Sequence, residues 1–257
     1  MNSLLYDINL TYEKNYELGP VGLRKLKKPV IKKSKNKFRF LGFDVNLPFG
    51  IPAGPLLNSK FIKGAFDFGF SVATYKTVRA DIFPCHPHPN ILYVDSPKEL
   101  HPQTNPRLNA VTQAPKNFSK INITNSFGVP SKEPKVWQKD VKKAKTYEKK
   151  GQLLVLSFMG TVKKNQTQEE FIEDFAKAAK LANQTHVKVL EANLSCPNIG
   201  NEGLVCYNLE ATEKICRLLR KVIGKTPLIL KVGYYKNKKD IEKIAEAFQR
   251  EKLVAIG

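Results

Sequence analysis

Apolar strands alternating with amphipathic helices, with no internal repeat or Ser/Gly-rich linker, predict an α/β chain. The specific expectation is a TIM (β/α)8 barrel, incomplete, with about six of its strands present. Three observations carry it. Single strand–helix units recur at regular spacing. No G-x-G-x-x-G follows the first strand, where PAGPLLN (52–58) lacks both the second glycine and the spacing of a dinucleotide-binding turn. A cysteine, Cys196, stands at the carboxyl end of an apolar strand, the end where barrels gather their functional loops. A doubly wound flavodoxin-like or Rossmann sheet is the structural alternative.

Residues 1–40 are polar and basic, carry Pro20 and Pro29, and read as an amino-terminal arm; residues 41–257 read as the barrel. LPFGIPAG (47–54) is the first strand, and Phe61, Ile62, Ala65 and Phe66 make one face of a helix over 59–68. SVATYKTV (71–78) is the second strand. From Arg79 to Pro134 the chain is rich in Pro, Asn and His and too long for an ordinary connection, which marks an active-site loop. A helix over 135–149 leads to the third strand, QLLVLSFM (152–159). Thr167 and Glu170 then form a capping box that opens a helix with Phe171, Phe175, Ala178, Ala179 and Ala182 inward. Residues 186–190 read as the fourth strand, ended by Pro197, which removes a ladder donor. A helix over 209–223 buries Ile215, Leu218, Leu219 and Val222, and a fifth strand covers 228–232. A last helix with Ile241, Ile244, Ala245 and Phe248 on one face leads to a final strand at 253–257, inside which the sequence stops. Two further strand–helix units are therefore expected to be missing, leaving exposed strand edges.

The chain has 257 residues and a formal net charge of +20, which invites a nucleic-acid reading. Arginine argues against it: only seven of 43 basic residues are Arg, whose planar fork suits base and phosphate readout. A solvated lysine-rich surface that draws in small anions is the better account. No apolar run approaches a membrane span and no signal pattern opens the chain, so a soluble, cytoplasmic protein is expected, without membrane or nucleic-acid partners. Four cysteines without a CxxC pair suit reduced thiols rather than a disulfide scaffold. Cys85-His86-Pro-His88 suggests a metal clip, but no second cluster completes a ligand set, so no metal is expected.

The chemistry concentrates in Glu191-Ala-Asn-Leu-Ser-Cys-Pro-Asn198. A cysteine is often just a small buried hydrophobe, but Asn193 and Asn198 bracket this one with paired amide donors and acceptors that suit a planar polar substrate. A thiol there can act as a base if a cation or dipole lowers its pKa. Lys76 and Lys231 each interrupt an otherwise apolar strand. Either alone reads equally well as a lysine reaching water from the sheet margin, whereas together they suggest an anionic partner such as a reduced flavin or a carboxylate. Asn125-Ser-Phe-Gly-Val-Pro130, in the long insertion, is a common turn pattern when taken alone.

With these residues together, the chain resembles the dihydroorotate dehydrogenases, flavin-containing barrels of pyrimidine biosynthesis. ANLSCPN (192–198) is close to a signature of that family; TYKTV (74–78), ITNSFGVP (123–130) and ILKVG (229–233) occur in the expected order and spacing, and LEATEKI (209–215) is similar to the helix of the soluble members. The resemblance implies FMN as cofactor and oxidation of dihydroorotate to orotate, with Cys196 as base. It places Asn125, Asn193 and Asn198 on the pyrimidine amides, with Phe127, Gly128 and Val129 lining the same loop. Lys76 meets flavin and substrate carboxylate, Thr77 and Ala53-Gly54 contact FMN, Asn193 touches both, and Lys231 stabilises the reduced flavin. Cysteine as base is similar to the soluble class, with fumarate as electron acceptor and a homodimer where the barrel is complete. The family's FMN phosphate lies in loops after the last two barrel strands, so these 257 residues are expected to bind FMN poorly. The alternatives are a dihydropyrimidine dehydrogenase-like flavin domain, a non-catalytic truncated fragment, and an RNA-modifying flavin barrel.

Overall fold

The computed structural model describes residues 5–29, 38–96, 107–111, 113–195, 205–250 and 255–256. Helix α1 (Tyr12–Leu18) is capped by the Thr11 side chain, which accepts from the Lys14 amide. A hairpin of β1 (Phe38–Phe40) and β2 (Phe43–Val45) turns through Leu41 and Gly42, both at positive φ, as a two-residue hairpin turn of matching twist requires. Then follow β3 (Gly50–Ile51), α2 (Ser59–Asp67) and β4 (Val72–Val78). The insertion holds β5 (Ile91–Asp95), β6 (Asn109–Val111) and β7 (Ile123–Asn125), an antiparallel sheet in the order β6-β5-β7. Regular alternation resumes with α3 (Pro134–Lys145), β8 (Leu153–Phe158), α4 (Gln168–Asn183), β9 (Val189–Asn193), α5 (Leu209–Ile223), β10 (Leu228–Lys231), α6 (Lys238–Arg250) and β11 (Ala255–Ile256).

Six strands form one parallel sheet in the order β11-β10-β9-β8-β4-β3, which apart from the inserted small sheet is the order of the chain. Successive parallel strands linked by helices keep one hand of crossover, so the helices gather on one face and the sheet curls as an open, incomplete α/β barrel. The core divides accordingly. Leu154, Leu156, Leu190, Ala192, Leu228 and Leu230 pack with the helices. Their neighbours Leu153, Val155, Val189 and Ile229 point the other way, as alternation along a strand dictates, and pack with Val45 and with Phe38, Phe40 and Phe43 of the hairpin. The hairpin thus plugs the inner face at the amino-terminal ends of the strands. The charged and amide groups of that face gather in its carboxyl half.

The helix faces follow the sequence periodicity, with two adjustments. Ile241 of α6 is 42% exposed while Ile244 and Phe248 are buried, and Leu218 and Val222 of α5 are half-buried beside the buried Ile215 and Leu219. The fourth strand is shifted relative to the 186–190 expected from alternation. His186 takes a left-handed turn (φ 56°) after α4, its carbonyl accepting from Lys145 Nζ at 2.6 Å, so the strand begins at Val189 and runs into the motif. The first strand contracts to Gly50 and Ile51. Where sequence suggests an extended loop between Arg79 and Pro134, the small antiparallel sheet pairs Ile91 with Asn125 and Tyr93 with Val111. The segment ahead of the hairpin is not detached: Tyr6 and Tyr12 are buried in the main core.

Candidate active site

The polar groups of the inner face lie at the carboxyl ends of β4, β8, β9 and β10. Register builds them into a belt: Ser157 stands opposite Glu191, and Asn193 opposite Lys231. A bulge extends the belt to β4. Tyr75 pairs with Leu156 and Val78 with Phe158, so Lys76 and Thr77 together face Ser157. The Thr77 and Ser157 hydroxyls are 2.9 Å apart and both buried.

Lys76 is buried, with 7% exposure; its Nζ makes a long 3.5 Å contact to the Thr77 carbonyl and lies 5.8 Å from the Tyr12 ring centroid. Asn193 is buried too, and its Oδ1 accepts from the Ser195 amide (3.2 Å) and hydroxyl (3.1 Å). Lys231 is half-buried at the end of β10. Glu191, absent from the sequence-based candidates, is 6% exposed between these groups, and its Oε1 has no hydrogen-bond partner. Burial pushes its carboxyl above the ordinary range, while Lys231 and then Ser157 pull it back. A buried carboxylate oxygen without a donor calls for one from outside the chain.

The loop after β7 is held from behind. The guanidinium of Arg79, 4% exposed, donates to the carbonyls of Val129 (2.9 Å), Gly128 (3.2 Å) and Gly160 (3.1 Å) and to the Thr161 hydroxyl (3.1 Å). This one side chain ties the 128–129 turn to the end of β8. Gly128, at φ 71°, lies against the His86 imidazole, where a Cβ would collide, and Val129 shares the left-handed conformation at φ 52°. Asn90 Nδ2 adds a bond to the Ser126 carbonyl at 3.0 Å. Phe127 packs edge-on to Tyr6, 5.4 Å between centroids. Only its Asn-Ser-Phe-Gly string marks this loop in the sequence; nothing local announces Arg79, which looks like any strand-end cation.

Of the expected site residues, Lys76, Thr77, Asn193 and Lys231 share the belt. Phe127 joins them through Tyr12, whose ring lies 6.2 Å from its own. Gly128 and Val129 form the turn behind it. Asn125 is exposed at the end of β7 rather than buried among them. Ala53 and Gly54 follow β3, where Gly54 (φ 144°) has nothing within 4 Å of a Cβ position and leaves open space. Cys196 and Asn198 lie outside the described residues. Among the described residues no group of three or more His, Cys, Asp or Glu could hold a metal ion, and no helix is long and apolar enough to cross a membrane.

An open parallel barrel thus gathers lysine, amide and carboxylate groups at the carboxyl ends of its strands, the place where barrel enzymes bind their substrates. The dihydroorotate dehydrogenase family model matches residues 36–257. The chain is 34% identical over 266 residues to a dihydroorotate dehydrogenase of Dictyostelium discoideum, covering all of this chain and 71% of that one. A shorter match, 36% identical over 80 residues, reaches the catalytic subunit of a dihydroorotate dehydrogenase B (NAD(+)) of Brachyspira hyodysenteriae, covering 30% of this chain and 26% of that one. The fold is similar to the dihydroorotate dehydrogenase of Eimeria tenella solved in complex with ferulenol, with TM-score 0.66 at 13% identity over 96% of this chain. The ligand-free Eimeria structure gives 0.64, also at 13% identity, over 90% of this chain. The chain spans 65% and 63% of those two Eimeria chains. It belongs to the dihydroorotate dehydrogenase family.

Proposed function

We propose that the protein oxidises dihydroorotate to orotate with FMN as hydride acceptor and Cys196 as base. The observation that carries the reading is the belt of Lys76, Thr77, Asn193 and Lys231 on one face at the strand carboxyl ends, in a chain of this family. These residues suit a flavin: the half-buried Lys231 can face an anionic ring edge, the orphan Oε1 of Glu191 lacks a donor, and Gly54 leaves the approach open. When bound, FMN supplies the acceptor for the hydride leaving C6 of the substrate.

The chain's own residues do the rest. Cys196, as thiolate, takes the proton from C5, so a C–H bond at each of two adjacent carbons is replaced by the C5–C6 double bond. Asn125, Asn193 and Asn198 hold the pyrimidine amides, whose planar donor–acceptor edges match carboxamides. Lys76 meets the substrate carboxylate and the flavin, Phe127, Gly128 and Val129 close one side, and Thr77 and Ala53-Gly54 line the flavin. Lys231 offsets negative charge that develops on the acceptor. The setting is cytoplasmic pyrimidine biosynthesis, with fumarate as the electron acceptor and a homodimer as the assembly of the closed barrel.

The test is orotate formation from dihydroorotate by the FMN-supplemented protein, with dihydrouracil and dihydrothymine as parallel substrates. Cys196→Ser is expected to lower turnover by about 10²–10⁴ at neutral pH and to regain part of it at high pH, since an alcohol is a far weaker acid than a thiol. Oxidation of the dihydropyrimidines but not of dihydroorotate would overturn the substrate assignment, and an unimpaired Cys196→Ser would overturn the base.

A further inference from the structure

The family match begins at residue 36, yet the segment ahead of it reaches the site. Tyr12 touches two expected substrate-binding residues at once, its ring 5.8 Å from Lys76 Nζ and 6.2 Å from the Phe127 ring. The segment is firmly seated. Asn58 Nδ2 donates to the Tyr16 carbonyl at 2.7 Å, His88 Nε2 lies 3.1 Å from the Ile8 carbonyl, and the buried Asn15 bonds both the amide and the carbonyl of Asp7. Tyr12 is itself 4% exposed.

An ammonium buried to 7% exposure gives up water, and an electron-rich ring face is a partner that returns part of that loss while directing the side chain. Tyr12 and Tyr6 also meet the Phe127 ring edge-on, which fixes its plane. We propose that the amino-terminal segment is a wall of the active site, with Tyr12 as the positioning residue that orients Lys76 and Phe127 toward the substrate. The proposal rests on Lys76 and Phe127 being substrate-binding, as the functional reading has it. It needs the ring and not the hydroxyl. Burial pushes the Tyr12 phenol up, so the ring remains neutral throughout the working pH range.

The experiment acylates the full chain without ligand, using acetic anhydride, and reads Lys76 modification by mass spectrometry against surface lysines. Tyr12→Leu is expected to raise Lys76 labelling about tenfold, the effect of losing a well-placed ring face, whereas Tyr12→Phe leaves it at the parent rate. Should the leucine variant unfold, phenylalanine carrying one to four ring fluorines at position 12 keeps the shape while draining the π face, and labelling should climb with each fluorine. A flat response across that series overturns the proposal, as does a Tyr12→Phe variant that labels like Tyr12→Leu. Orotate binding by calorimetry is the second arm. Weakening in step with labelling supports positioning; labelling that rises while orotate affinity stays unchanged overturns it. A parent chain that binds no orotate counts against the functional reading, and the labelling series still judges the Tyr12–Lys76 contact.

Discussion

Glu191 is the residue whose state most shapes the site's electrostatics. Its carboxyl is buried opposite Ser157, on the strand next to Lys231, with one oxygen unpartnered, and burial holds its pKa above the ordinary range. The folded chain therefore binds this proton more tightly than the unfolded chain. The resulting stabilisation is complete below the unfolded carboxyl value of about 4.3 and is lost as pH rises through the raised folded value. Glu191→Gln preserves shape and removes the titration. Relative to the parent, the variant should gain stability from pH 4 to pH 8, by about 1–3 kcal/mol if the unpartnered oxygen carries its full desolvation cost. Urea denaturation at several pH values measures this, and parallel curves for the two proteins would show that folding does not shift the carboxyl's proton affinity. Arg79 gives the opposite case, a buried cation whose donors are well used. Arg79→Met leaves the carbonyls of Gly128, Val129 and Gly160 without that donor, so a loss of at least about 3 kcal/mol is expected. The same melt should show orotate protecting the variant less than the parent, because the 127–129 turn loses its anchor.

At the scale of elements, α4 packs on β8 and β9 from the helix-covered face of the sheet. Its capping box satisfies two backbone amides, Thr167 Oγ1 accepting from Glu170 and Glu170 Oε2 from Thr167, at 3.2 and 2.8 Å. Thr167→Ala should cost about 1 kcal/mol in denaturant melts and leave ligand binding unchanged. A change in orotate affinity would mean that α4 reports to the site after all. The hairpin β1–β2 has a comparable supporting role, filling the inner face under the polar belt with Phe38, Phe40, Phe43 and Val45. The bulge in β4 turns what would be strict alternation into two adjacent polar side chains, which is how Lys76 and Thr77 both face Ser157.

For the whole molecule the dominant property is a net charge of +20 spread mainly over lysines. Such a field concentrates small carboxylate ligands, so the association rate of orotate should fall steadily with added salt while its dissociation rate changes little. Stopped-flow binding at several ionic strengths tests this; a salt-independent on-rate would show that the charge does not act at the site. Much of this architecture was legible in the sequence, because strands, helix faces and the Thr167–Glu170 cap are written in residues a few positions apart. Lys76 and Lys231 stand out in the sequence as well, through their oddity in apolar strands. Sequence alone settled the order of the units and most of each helix face, with Ile241 as an exception. Only tertiary structure set the shared face of the belt, the Arg79 tether, the small sheet within the insertion and the docking of Tyr12. Those depend on contacts between distant residues, such as Thr77 with Ser157 at a separation of 80, and no local period encodes which strand will lie beside which until the sheet has closed its loops.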